Sequence, residues 1–161
     1  MDAVFKTEKA VFNYRVAGVW IQDGQVLLHK SVTDNHWALP GGRVEITEES
    51  QKGLYREFQE ELGIDVKVER LLWAVENFFE FNGNDFHEIG FYYQVSFNGD
   101  YKFSTEEFYG MEGDHLIYKW IPLDDLDELS IQPEFLKAEI KDMPMNPKHI
   151  VVKDDISRLA N

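Results

Sequence analysis

The sequence predicts an α+β layered domain: strands first, one amphipathic helix between them, then more strands and a late helix. Three observations carry that prediction. Two strand-like segments meet at Asp23-Gly24, a strong hairpin signal. A helical stretch closing at Gly63 sets Leu54, Phe58 and Leu62 along one stripe. A second hairpin turns through Asn82-Gly83-Asn84-Asp85.

Taken in order, residues 14–22 and 25–30 are the first two strands. Residues 37–42 read as a short strand running into a tight Gly41-Gly42 turn, which lets backbone approach a ligand closely. The helix is expected from about Glu48 to Leu62. Thr47 is its expected N-cap, Glu48 and Glu49 fall in the first turn where the dipole favours negative charge, and Gly63 is the C′ residue. Residues 66–81, rich in Val, Leu, Trp and Phe, form one long strand or two broken ones, and 86–97 returns beside it. Residues 104–114 read as an acidic, irregular loop, and 115–121 resume as strand. Pro122-Leu123-Asp124-Asp125 opens a short helical segment, 133–141 a second helix, and 149–152 a final strand. No repeat, low-complexity tract or linker interrupts the chain, so a single domain over residues 1–161 is expected.

Composition narrows the function. With 43% hydrophobic and 14% aromatic residues the chain can build a real core. It has no cysteine, which removes disulfides and a thiol nucleophile and suits a reducing cytoplasm, the expected location. No apolar run reaches membrane-spanning length. A net charge of −14 argues against nucleic-acid polymers and anionic membranes as partners, since both reward a positive surface. That charge also opposes an anionic small molecule unless divalent cations reverse the field locally. Self-association into a homodimer is left open.

The chemistry concentrates between Gly42 and Ile64. Glu57, Glu60 and Glu61 stand at i, i+3 and i+4, which places three carboxylates on one helix face, next to the apolar stripe. At about 6 Å in water each such pair costs roughly 0.7 kcal/mol, so the arrangement does not serve the helix. An all-oxygen cluster suits a hard cation that joins carboxylates to phosphates and water. Gly53, one turn earlier, costs about 1 kcal/mol in a helix against alanine, which clearance for a metal or phosphate would explain.

Read as fixed positions, this stretch is Gly42, five residues, Glu48, seven residues, Arg56-Glu57, an apolar residue, any residue, Glu60-Glu61, any residue, Gly63 and an apolar residue. A chance match is on the order of 10⁻⁸ even with the acidic bias, so the pattern stands as a unit. It is the Nudix box, and the chain resembles the Nudix (MutT-like) hydrolases, which cleave diphosphate linkages in nucleotides and related compounds with a divalent metal. The resemblance implies a mixed β-sheet flanked by helices, the Nudix α/β/α sandwich. It implies Mg²⁺, with Mn²⁺ as a substitute, on the Gly42 carbonyl and the carboxylates of Glu57, Glu60 and Glu61. Glu48 and Arg56 would pair to hold the loop against the helix, and Arg56 is also spaced for an i+4 pair with Glu60. The proton from the attacking water would go to Glu57 or to a glutamate of the later loop, where Glu106, Glu107 and Glu112 stand. Glu112 is preferred because Gly110 and Gly113 let that loop close.

Outside the box the candidates for substrate contact are Arg15, Lys30, His36 and Arg43 for phosphate, with Trp37, Phe79 and Phe81 for stacking on a base. Arg43 could instead pair with a carboxylate such as Glu45, and His87 and His115 are further candidates. Subfamily markers for ADP-ribose, dinucleoside polyphosphates and NADH are absent: the stretch Asn77-Phe78-Phe79-Glu80-Phe81 carries neither the proline nor the tyrosine. The default substrate is a nucleoside triphosphate or a small nucleotide derivative. A non-catalytic nucleotide-sensing domain is the alternative, but such domains often lose box glutamates and this one keeps all of them. An isomerase on the same fold needs the cysteine this chain lacks, and a structural ion module gives the glycines no purpose.

Overall fold

The computed structural model describes residues 1–101 and 104–153. Its strands are β1 (Val4–Lys6), β2 (Ala10–Gln22), β3 (Gln25–Ser31), β4 (Gly41–Arg43), β5 (Lys67–Phe81), β6 (Asn84–Ser96), β7 (Phe108–Tyr109), β8 (Leu116–Pro122) and β9 (Lys148–Lys153). The helices are α1 (Ser50–Leu62) and α2 (Leu136–Lys141), with a 3₁₀ segment at Leu123–Glu128. The sheet runs β7-β8-β3-β2-β6-β5-β9, with β1 and β4 added against β2. It is mixed, because β2 lies parallel to β6 and β5 parallel to β9 while the other pairs are antiparallel.

Strand β2 decides the layering. Its Val16 and Trp20 pack with Leu54 and Phe58 of α1, and its Ala17 and Val19 pack with Leu136 and Ile140 of α2. Alternation along one strand therefore feeds two cores, one on each face. Leu54 and Phe58 are fully buried, and each such side chain contributes about 1.5–3 kcal/mol. The result is the expected α/β/α sandwich.

Both hairpin turns follow their sequence signals. Asp23 and Gly24 have φ of 52° and 74°, and Asn82 and Gly83 have 51° and 79°, the left-handed pair that a two-residue turn between twisted strands requires. Residues 67–81 form one strand, with register shifts against β6 between Val68 and Arg70 and between Leu71 and Trp73. The loop at 104–114 is less irregular than expected, since Phe108 and Tyr109 pair with β8. Strand β1, unforeseen, adds to the edge of β2 through Phe5 and its neighbours.

Two expectations at the helix entrance fail. The N-cap position is Glu49, not Thr47, and α1 begins at Ser50 with no acidic residue in its first turn. Thr47 lies outside the helix at φ 71°, because the chain turns between Glu45 and Glu48 before entering it. Nor do Gly41 and Gly42 form a tight turn. They are strand residues of β4, opposite Ala17 and Val16. Their lack of side chains serves close approach: a Cβ on Gly41 would lie 2.0 Å from the Val16 carbonyl oxygen, and one on Gly42 would lie 2.4 Å from the Glu57 carboxyl carbon.

Gly41→Ala must push backbone against backbone, so it is expected to cost about 1–3 kcal/mol or more. Urea unfolding would read this as a lower midpoint, and an unchanged midpoint would mean that β4 is not held against β2 as described.

Candidate active site

Arg56 organises the site. Its Nε donates to Glu48 Oε2 at 2.8 Å and its Nη2 to Glu48 Oε1 at 3.0 Å, a two-pronged contact. Nη2 also donates to the Arg43 carbonyl at 3.1 Å, and Nη1 donates to Glu57 Oε1 at 3.0 Å and Glu60 Oε2 at 3.2 Å. All five guanidinium N–H donors are thereby used. Both ion-pair roles expected of Arg56, with Glu48 and with Glu60, hold together. Glu48 Oε1 also accepts from the Glu45 amide at 3.0 Å, and the Arg56 hydrogen bonds hold its carboxyl below the usual range.

This network explains Gly53 differently from the sequence expectation. A Cβ there would stand 2.7 Å from Glu48 Oε1. The glycine clears room for a carboxylate already locked to Arg56.

The three box carboxylates differ sharply in setting. Glu60 is 47% exposed in its side chain. Glu57 lies against Gly42, and burial raises its pKa despite Arg56. Glu61 is 6% exposed, and its Oε2 accepts a hydrogen bond from Tyr118 Oη at 2.8 Å. Burial is the main cause of a Glu61 pKa raised to about 8, with the charges of Glu57 and Glu112 adding to it and Tyr118 and Arg15 opposing it. Two acids that burial disfavours as anions sit where added positive charge would restore them.

As the side chains stand, no three acidic or histidine groups among the described residues converge closely enough to hold an ion. Arg56 draws Glu57 and Glu60 towards itself, and Tyr118 holds Glu61. The donor set nonetheless fits a hard divalent cation: it is all oxygen, it is anionic, and Glu60 is exposed enough to turn.

The later loop reaches the same place. The Met111 amide donates to the Glu61 carbonyl at 2.7 Å, tying the loop to the end of α1. Glu112, Glu61, His115 and Tyr118 share a small cleft there. Glu106 and Glu107 are exposed and line neither this cleft nor the main cavity.

That cavity, of about 570 Å³, opens on the α2 side of the sheet and is lined by the expected contact residues Arg15, His36, Arg43 and Phe79. Lys30, Trp37 and Phe81 line it too. Arg15 donates to the Leu39 carbonyl at 3.1 Å, and its charge opposes the raised pKa of Glu61, so it links cavity and carboxylates. His36 Nδ1 lies 2.6 Å from Ser130 Oγ. Arg43 approaches Asp2 at 4.0 Å, not Glu45. His87 is exposed and stacked on Phe78, away from the cavity.

Several residues here went unremarked in the sequence. Tyr118 has no motif around it and reaches Glu61 only because β8 lies next to β3. His29 is buried in the cavity wall, its ring 5.4 Å from Tyr118, and burial together with the Arg15 charge lowers its pKa to about 3, so it is neutral. Asn13 and Glu88 meet through the parallel pairing of β2 with β6. The one available signal was a polar residue, Asn13, on the same strand face as buried Val11, Ala17 and Val19.

Residues 13–142 match the NUDIX domain. A MutT-like protein of Streptomyces ambofaciens is 36% identical over 72 residues, covering 44% of this chain and 47% of the relative. An RNA pyrophosphohydrolase of Actinobacillus pleuropneumoniae serotype 5b is 43% identical over 51 residues, covering 32% of this chain and 25% of the relative. The chain therefore spans less than half the length of either. Among solved structures, a MutT NUDIX hydrolase from Burkholderia pseudomallei is 26% identical with a TM-score of 0.58, over 80% of this chain and 96% of that one. The chain belongs to the NUDIX domain family.

Buried Glu61 and half-buried Glu57 make the ion-free protein sensitive to pH. Glu61 folds with a pKa of about 8 against an ordinary 4.5, so above pH 4.5 the folded state retains a proton that the unfolded state releases. Stability then falls as pH rises from 4.5 to 8, by an amount on the order of a few kcal/mol, and Glu57 adds in the same sense. Urea unfolding with chelator at pH 5 and pH 8 should show this loss, and Glu61→Gln should flatten most of it. Equal pH dependence in the two proteins would contradict the assignment.

Proposed function

We propose that this chain hydrolyses a diphosphate linkage in a nucleoside diphosphate or triphosphate derivative, with Mg²⁺ or Mn²⁺ held by Glu57, Glu60, Glu61 and the Gly42 carbonyl. The observation that carries the reading is the Arg56-anchored carboxylate face joined through Arg15 to a cavity lined by cationic and aromatic side chains. Its similarity to an RNA pyrophosphohydrolase supports the reaction class.

A bound divalent cation supplies neutralisation of phosphate charge and Lewis acidity at phosphorus. The chain's own residues do the rest. Arg15, Arg43 and Lys30 draw the phosphates to the cavity mouth against the overall charge of −14. Water oxygen bonds to phosphorus, the P–O bond to the leaving phosphate breaks, and the water proton passes to a carboxylate. That carboxylate is either Glu57, held by Arg56 against Gly42 at the box, or Glu112, the preferred base, on the tethered loop beside Glu61. Tyr118 orients Glu61 by hydrogen bonding one of its oxygens. A cysteine-free acidic chain suits the cytoplasm, where we place it.

Glu60→Gln and Glu61→Gln each keep side-chain volume while removing one negative charge. Both are expected to lower turnover of nucleotides with Mg²⁺ by about a hundredfold or more, read as released phosphate or pyrophosphate across a nucleotide panel. Chelation of the wild-type chain should do the same. Unchanged turnover in both variants would remove the metal assignment, and binding without turnover in the wild type would favour a nucleotide sensor.

A further inference from the structure

The cavity floor has a pattern that hydrolysis does not require. Asn13, Glu88 and Asn77 lie in register across β2, β6 and β5, forming one transverse polar row. All three line the cavity. Beside them, the next row on that face brings Phe86 and Phe79 together, stacked at 5.1 Å and 14°. On the other side stands Arg15, two residues along β2 from Asn13. A flat ring laid towards the phenylalanines would thus present its edge to the polar row and its phosphates towards Arg15.

Asn13 and Glu88 are 3% and 8% exposed. Asn13 Nδ2 donates to Glu88 Oε2 at 2.9 Å. A carboxylate only accepts, so the amide must turn its NH₂ to Glu88 and its oxygen elsewhere. That oxygen, Asn13 Oδ1, is buried with no hydrogen-bond partner among the described residues. A buried acceptor left unpaired keeps its desolvation penalty without a compensating hydrogen bond. Two neighbouring acceptors in a cavity wall therefore call for a ligand that brings donors.

We infer that Asn13 and Glu88 are specificity residues that select a nucleobase with two adjacent N–H donors on one edge, which among the common bases is guanine through N1–H and its 2-amino group. Adenine and cytosine pair an amino group with an acceptor nitrogen on that edge, and uracil flanks one N–H with two carbonyls. Each would set an acceptor against an acceptor here. The inference rests on the nucleotide reading of the site and adds which nucleotide it takes.

The test compares binding of guanosine and inosine monophosphates to the whole chain by calorimetry or NMR titration. These ligands differ by the 2-amino group alone and contain no diphosphate linkage, so the result does not depend on hydrolysis. Guanosine monophosphate is expected to bind about ten- to a hundredfold more tightly. Its 2′-deoxy form should stay within about threefold, because the base and not the sugar is read. In Glu88→Gln, where a donor replaces one acceptor, the guanosine preference should shrink to within about threefold. Equal binding of the two ribonucleotides by the wild type, binding of neither, or a loss confined to the deoxy form would overturn the inference, and none of these needs the variant to fold. A preference unchanged in a folded Glu88→Gln chain would overturn it too. Guanosine preference without turnover of any nucleotide would instead defeat the hydrolase reading and leave the base subsite standing.

Discussion

One guanidinium sets the geometry on which this protein depends. Arg56 spends five N–H donors on Glu48, Glu57, Glu60 and the Arg43 carbonyl. It thereby joins the loop before α1 to the helix and fixes where two of the box carboxylates begin. A lysine, with three donors on a point charge, could not make the fork to Glu48 and reach both helix acids as well. Around this group the glycines become intelligible: Gly53 leaves space for Glu48, Gly42 for Glu57, and Gly41 lets β4 close on β2. Desolvation still disfavours the charge of half-buried Glu57 and of buried Glu61.

The second constraint is the sheet's division of labour. Strand β2 contacts α1 with one face and α2 with the other, so residues a single position apart serve different cores. Arg15 lies on the β2 face that lines the cavity. Its charge acts on Glu61 of the helix and on His29 and Tyr92 of the cavity wall. A strongly acidic chain thus keeps a cationic point between its carboxylates and its cavity, where an anionic substrate would cross.

Much of the fold was legible because its signals are local. Asp23-Gly24 and Asn82-Gly83 declare their turns through residues that tolerate positive φ, and Gly63 ends α1 at φ 67°. Box spacing alone put Glu57, Glu60 and Glu61 on one helix face. What stayed hidden depends on pairings between distant segments. The parallel match of β2 to β6 brings Asn13 to Glu88 across 75 residues, and β8 beside β3 delivers Tyr118 to Glu61. Local rules also misled where tertiary contacts won. Thr47 is a good N-cap by propensity, yet Glu48 must turn back to Arg56, so the helix starts later. Gly41-Gly42 suggests a turn, yet the pair is needed for a strand that touches its neighbours closely.

The proposed cation would dock on the carboxylates Arg56 arranges and ionise Glu61, which burial keeps protonated. Calorimetric titration of Mn²⁺ into the chelator-treated chain at pH 7, in two buffers of different ionisation heat, tests it directly. One saturable process that releases up to about one proton is expected, with that release lost in Glu61→Gln. No saturable binding, or binding whose proton release is the same in both proteins, would contradict it.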